Sequence, residues 1–410
     1  YLLATLAGAK LFYGIDRPLP PPGPNSPRNA AAAQGAEALE DALNYALDHG
    51  LNSAAIAAAE VLGDVGTPEL LHAPDGHARP LARAMQHRDR RVRFAAANAV
   101  MRIDPHESYL GASHLTEVAG YLIRTEAAPR VLVGHPNRDA AQTLAGMLME
   151  MGYEAETAVT GRELFRRAVA SPDFEAIFIS DAIDFPDARE LLQWIRRDLR
   201  TATIPIGLEV RGEYLEEFRR LAGEYSLTEA FPRAHQPDTL GYQLQVLRGL
   251  SESVAVATPE RVFQARTALA WLRKLSEESD LYSFYDLRRE EEAILSALAN
   301  PVFTQEAAPI AGTLGTPRLQ RALVVLIGQH TRSIDDRRAM AEAFAAAVRR
   351  RGLRLNRDEI HELYDRYNIS LHLDDDTLAV LSSLLDVIEE PRNQWNAAEE
   401  LGEARAAAAP

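Results

Sequence analysis

The sequence predicts a multidomain protein of mixed α and α/β class: one parallel sheet with its own covering helices, set between two all-helical segments. Three observations predict it. Between Arg130 and Arg233, short apolar runs alternate with amphipathic stretches, the pattern of strands and helices in strict alternation. On both sides the chain is Ala-rich with helical spacing and has no strand-like run. Within the first helical segment, Asn52–Gly66 (NSAAIAAAEVLGDVG) is echoed by Arg90–Asp104 (RRVRFAAANAVMRID), with Ile56, Ala59 and Val61 aligning with Phe94, Ala97 and Ala99 at an offset of 38 residues. The division expected is 1–126 helical, 127–250 α/β and 251–410 helical.

Composition bounds the function. A chain of 410 residues is long enough for two or three domains, each burying a core of its own. Apolar residues make up 47% and charged residues 25%, as in ordinary globular protein. The formal net charge of −15 argues against a general nucleic-acid binder, which needs a positive face to displace counterions. The chain has no cysteine, which excludes disulfides, thiolate nucleophiles and cysteine-ligated zinc. No apolar run approaches the ~18–20 residues that span a bilayer.

Residues Tyr1–Tyr13 are apolar with helical spacing and read as a first helix, in preference to the remnant of a removed signal. DRPLPPPGPNSPR follows as an extended surface loop, because each proline fixes φ and removes a donor. From Ala30 onward the chain is helical again. Gly66-Thr67-Pro68 stops one helix, and Pro68 suits the first turn of the next. Small residues at helical spacing let neighbouring helices approach closely, and a period of about 40 residues is that of stacked helical pairs. The stretch DRRVRFAAANAV, through Asp89, Val92, Arg93, Ala96, Ala97, Ala99 and Val100, resembles the HEAT repeat family. The resemblance implies a scaffold that presents a surface to other proteins and carries no catalytic residues. HRDRRVRF (His87–Phe94) is basic, and Arg88, Arg90, Arg91 and Arg93 are a candidate patch for an acidic or phosphorylated partner. The competing expectation is a repeat turn whose Asp and Arg side chains bond the backbone and neighbouring repeats.

In the middle stretch, RVLVG is a continuous apolar run suited to a strand buried on both faces. RDAAQTLAGMLMEMG follows as a helix with Leu144, Leu148 and Met151 on one side. YEAETAV, AIFIS, IPIGLEV and LTEAF are the later strands. GRELFRRAVAS, ARELLQWIRRDLR, EYLEEFRRLAGEY and a segment from about Pro237 are the later helices. Five strands joined by right-handed crossovers place any ligand at the carboxyl ends of the strands.

Residues 130–250 resemble the receiver domain of bacterial response regulators, through MGYEAETAVTGREL, DFEAIFISD and TATIPI. The resemblance implies a flavodoxin-like sheet of order 2-1-3-4-5. In active receivers it implies an aspartate that accepts a phosphoryl group, two acids that hold Mg²⁺, and a Ser/Thr and a Lys that contact the phosphoryl oxygens. Asp181 stands at the phosphoacceptor position. The acid pair should fall at Gly134, His135 and Pro136, and no carboxylate is there; Asp139 lies beyond, on the helix. The Ser/Thr position falls on Glu209 or Val210, and the Lys position on Pro232 or Arg233. Pro186 is one residue from its usual place. The expectation is a vestigial pocket in which Asp181 caps the loop or the following helix, His135 bonds a neighbouring carboxylate, and Arg233 closes a salt-bridged plug. Asp181, Asp184 and Asp187 match no calcium-loop spacing, so no metal and no other cofactor is expected.

From Ser251 the chain is expected to be helical to its end. TPERVFQARTALAWLRKLSEE opens with a Thr-Pro-Glu start signal. Leu314-Gly315-Thr316-Pro317 echoes Val65-Gly66-Thr67-Pro68. DRRAMAEAFAAAVRRRG echoes DRRVRFAAANAV, with Asp335, Arg337 and Arg338 carrying the likeness and Ala341 and Ala345 as small packing positions. Asp374-Asp375-Asp376 reads as an acidic helix start, and NAAEELGEARAAAAP as a helical or frayed tail. The function expected is a non-enzymatic scaffold or assembly subunit binding other proteins, copies of itself included. One alternative is an active phospho-accepting protein using Asp181. Another is an enzyme using the sheet's carboxyl edge, although GHPNRD after the first strand has no glycine-rich phosphate loop. The absence of cysteine and of an initiating Met leans towards a processed protein of a bacterial envelope, with the cytoplasm as the alternative.

Overall fold

The computed structural model describes residues 1–72, 76–251, 253–370 and 374–390. The tail expected over 396–410 lies outside them. The chain divides into two compact units, Tyr1–Thr267 and Ala268–Pro410.

The first unit begins with helices α1 (Leu2–Tyr13), α2 (Pro27–Ala32), α3 (Ala36–Asp48), α4 (Asn52–Val65), α5 (Pro80–Ala84), α6 (Arg90–Ile103) and α7 (Ser113–Leu122). The proline-rich stretch separates α1 from α2 as expected, and Ser26 caps α2 by accepting from the Arg28 N–H. The repeated segments are α4 and α6. They pack on each other through small residues: a Cβ at Gly63 would lie 2.9 Å from Ala99 Cα. Alanine at a helix-interior glycine ordinarily gains about 1 kcal/mol, but overpacking a close crossing costs about 1–3 kcal/mol. Gly63→Ala is therefore expected to lower the urea midpoint, and a variant as stable as the parent would contradict this packing.

The α/β part follows in the predicted order: β1 (Arg130–Gly134), α8 (Arg138–Glu150), β2 (Glu154–Ala158), α9 (Gly161–Ala170), β3 (Phe174–Ser180), α10 (Ala188–Arg197), β4 (Ile206–Val210), α11 (Leu215–Ala222), β5 (Thr228–Pro232) and α12 (Pro237–Ser251). The five strands are all parallel, in the order β2-β1-β3-β4-β5. Side chains alternate across the sheet. Leu132, Ile177, Ile179 and Leu208 pack with Leu164, Leu191, Leu192 and Leu221 from α9, α10 and α11. Val131, Val133, Ala176 and Phe178 pack with Leu144, Leu148, Leu240, Leu244 and Leu247 from α8 and α12. Burial on both faces explains why the central strands read as unbroken apolar runs.

The helices before Arg130 fall in the same compact unit as this sheet. Buried polar ties join them. Arg90 donates to Gln264 Oε1 at 2.6 Å, in helix α13 (Thr258–Glu277), and to Pro172 O at 3.4 Å before β3. Arg93 donates to Leu199 O at 3.1 Å. Asp173, fully buried, accepts from Thr125 Oγ1 and the Glu126 N–H at 2.5 Å each. It also lies 3.3 Å from Arg261 Nε.

The second unit contains the end of α13, α14 (Glu291–Ala299), α15 (Thr304–Leu314), α16 (Pro317–Ile327), α17 (Ile334–Arg351), α18 (Arg357–Ser370) and a helix over 375–390. Thr316 caps α16 as its Thr-Pro signal predicts. The same small-residue crossing recurs here, since a Cβ at Gly312 of α15 would lie 2.7 Å from Ala343 O of α17. A polar device recurs as well. Asp89 at the start of α6 is buried and accepts from Asn52 Nδ2 of α4 at 2.9 Å; Asp336 at the start of α17 is buried and accepts from Gln305 Nε2 of α15 at 2.7 Å. The sequence match placed Asp335 in that role. The structure corrects it to Asp336, because the Asp335 side chain is turned to solvent.

Candidate functional site

The site expected from the sequence lies at the carboxyl edge of the sheet. Parallel pairing sets Gly134 beside Ile179 and Ser180 beside Glu209, so the ends of β1, β3 and β4 converge. Asp181 directly follows β3, and its N–H donates to Glu209 O at 3.0 Å.

Two guanidinium groups occupy the Asp181 carboxylate. Arg233, just past β5, donates from one terminal nitrogen to Oδ1 at 2.5 Å. Arg211, just past β4, donates from Nε to Oδ2 at 2.8 Å and from its backbone N–H at 3.3 Å. Burial alone would push the Asp181 carboxyl up, but these bonds more than offset it and hold the carboxyl below its ordinary range. The salt-bridged plug expected at Arg233 is present, and Arg211 is a second half that the sequence reading did not find. Asp181 caps neither loop nor helix: Asp187 caps α10, accepting from the Glu190 N–H at 2.9 Å.

His135 is buried beside the plug, but it accepts the Asn137 N–H at Nδ1 (3.0 Å) instead of bonding a carboxylate. Burial pushes its imidazole down, and the Arg233 charge acts in the same direction. Gly134 ends β1 within the core, Pro136 is exposed, and Asp139 is exposed on α8. Asp184 is used locally, accepting from the Phe185 N–H at 2.8 Å. Among the described residues no group of three or more His, Asp or Glu side chains is placed to hold a metal ion.

Val210 is fully buried, which leaves Glu209 as the polar group at the Ser/Thr position. Its Oε2 accepts the Ala234 N–H at 2.8 Å, while Oε1 is buried without a hydrogen bond. Gln243 of α12 is beside it, donating Nε2 to Pro232 O at 2.8 Å and leaving its own Oε1 without a donor. Burial raises the Glu209 carboxyl to about 7, against smaller lowering effects from Ala234, Gln243 and Arg233.

The basic patch is corrected. Arg90, Arg91 and Arg93 are 4–7% exposed, and only Arg88 faces solvent. Arg91 binds both oxygens of Asp89, at 3.2 and 3.0 Å. Arg93 donates to His87 O at 2.8 Å and Arg88 O at 3.0 Å, and lies over the Tyr121 ring. These arginines satisfy backbone carbonyls inside the first unit, so three of the four are closed to an outside partner.

Chemically, the edge offers one carboxylate bound by two guanidiniums, a buried imidazole and a buried acid.

Comparison with solved structures finds chemotaxis response regulator CheY4 of Vibrio cholerae at 22% identity and TM-score 0.27, covering 29% of this chain and 98% of that one. A signal receiver domain of a signal transduction histidine kinase from Syntrophus aciditrophicus matches at 20% identity and TM-score 0.27, over 31% of this chain and 92% of that one. A sensor protein from Polaromonas sp. JS666 matches at 21% identity and TM-score 0.26, over 31% and 98%. No protein-family model matches the chain, and no curated protein matches it.

Proposed function

We propose that the protein is a non-catalytic scaffold for other proteins, in which a receiver-like domain that does not accept phosphate is held among HEAT-like helical repeats. The observation that carries this reading is the occupancy of Asp181 by Arg211 and Arg233. A phosphoacceptor carboxylate needs a free oxygen for attack and a cation to gather the phosphoryl oxygens. Here both oxygens are bound, and Gly134, His135 and Pro136 supply no metal-binding acid.

The repeated helix pairs support the scaffold half of the reading. In both units a buried Asp at a helix start bonds an amide side chain of the earlier helix, and a glycine lets the paired helices close up. Such pairs spend their polar groups on stacking and leave outer faces for partners. The partners proposed are proteins, copies of this chain included. The net charge of −15 opposes nucleic acid, and among the described residues no helix is long and apolar enough to cross a membrane.

Calorimetric titration of the full chain with Mg²⁺ tests the reading. No saturable site is expected. A saturable Mg²⁺ site that disappears in Asp181→Asn would favour the phospho-accepting alternative.

A further inference from the structure

Helices α9 and α10 carry a basic and aromatic surface that the sheet edge does not use. The two helices lie side by side and sink Leu164, Leu191 and Leu192 into the core. Phe165 of α9 and Trp194 of α10 meet edge to face, with ring centroids 5.7 Å apart and planes at 71°. Both rings stay partly open to solvent. Helical spacing puts Arg162 and Arg166 on the Phe165 side of α9, and Arg197 one turn after Trp194 on α10.

Neighbouring arginines are spent on acids of this chain. Arg167 binds Glu156 and Glu163, Arg189 pairs with Glu224, and Arg200 with Asp198. Arg162, Arg166 and Arg197 are exposed and have no acidic partner among the described residues. Glu190, exposed a turn before Trp194, is an acid at the rim. Three unpaired guanidiniums outweigh it, so the surface is positive on a chain of net charge −15. Arg162 and Arg166 are four residues apart on one helix, where like charges repel. Arg162 also stands in the first turn of α9, where the helix dipole disfavours a cation. Neither placement helps the helix, and both favour an anion arriving from outside.

We propose that this surface docks an acidic segment of another protein, with carboxylates on Arg162, Arg166 and Arg197 and an apolar side chain against Phe165 and Trp194. Aromatic and arginine side chains are the types enriched at protein interfaces, and they supply much of the binding energy where they cluster. A guanidinium fork matches a carboxylate with two parallel bonds. The proposal rests on the scaffold reading, to which it adds a surface and a partner class. Mg²⁺ binding and phosphorylation read Asp181 at the sheet edge, so either reading can fail while the other stands.

The test titrates the full chain into a fluorescein-labelled peptide, a central Leu with four Glu on each side, read by anisotropy. Salt is held at about 20 mM, where surface charges are little screened. Saturable binding is expected, at least tenfold weaker at about 0.5 M salt. The combined variant Arg162→Ala, Arg166→Ala and Arg197→Ala is expected to bind at least tenfold more weakly. A peptide with Lys in place of every Glu is expected not to bind, and one with Gly in place of Leu to bind several-fold more weakly. Absence of saturable binding overturns the proposal, as does unchanged affinity in the folded triple variant. Equal binding of the Lys or Gly peptide overturns it too. A labelled single-stranded decanucleotide that binds more tightly than the acidic peptide would make this a nucleic-acid surface instead. If the triple variant does not fold, the salt series and the peptide series on the parent chain decide, since they need no substitution.

Discussion

Asp173→Ala is expected to lower the stability of the first unit by about 3–5 kcal/mol, the usual cost of removing one partner of a buried ion pair. Asp173 is completely buried and Arg261 is 3% exposed. The carboxylate ends three elements at once: it accepts from Thr125 Oγ1 and the Glu126 N–H after α7, and it faces Arg261 Nε in α13. Alanine removes the buried carboxylate to which the Thr125 hydroxyl and the Glu126 N–H donate, and the charge that faces the Arg261 guanidinium. Arg261 keeps Glu175 at 3.3 Å and Thr258 at 2.8 Å, which puts the loss at the lower end of the range. Asp173→Asn, which keeps the shape and drops the charge, should lose less. Urea denaturation measures both, and a loss under about 1 kcal/mol for the alanine variant would show that the tie is not a buried pair.

The second large effect is a pH dependence carried by Glu209. An acid whose folded-state pKa lies above its unfolded value binds an extra proton when folded. Its stabilising contribution is complete below the unfolded value of 4.5 and is lost as pH rises through the folded value of about 7. The full loss is about 3 kcal/mol, since one pKa unit is about 1.4 kcal/mol. Glu209→Gln keeps the shape of the side chain and cannot ionise. The two proteins are expected to be nearly equally stable at pH 4.5, with the variant gaining steadily up to pH 7.5. Glu260, also raised to about 7, titrates in both proteins and cancels in the difference. Thermal melts across this range check it; parallel curves would mean that Glu209 is ionised throughout.

The sheet was legible because its central strands are buried on both faces. The runs VLV of β1 and AIFI of β3 carry no polar position to confuse the pattern, and strand ends then located Asp181, Glu209 and Arg233 by register. What stayed hidden shares one cause: a charged side chain does not announce its partner. Arg211 sits one residue past β4 and looks like any surface arginine until the parallel register brings it to Asp181, 30 residues earlier in the chain. Arg90, Arg91 and Arg93 read as a basic surface, but guanidiniums donate to carbonyls as readily as to anions, and the carbonyls that bury them come from Pro172, Leu199 and Ser253. Asp336 directly precedes Arg337-Arg338 as Asp89 precedes Arg90-Arg91, so the spacing itself selects Asp336 over the neighbouring Asp335.

The central claim is that Asp181 is a structural anion and not a phosphoacceptor. Incubation of the full chain with phosphoramidate and Mg²⁺, read by intact mass, tests it most directly. The expected result is an unmodified mass under conditions that label an active receiver. A Mg²⁺-dependent gain of one phosphoryl group, lost in Asp181→Asn, would contradict the claim and make Asp181 the working centre of a signalling protein.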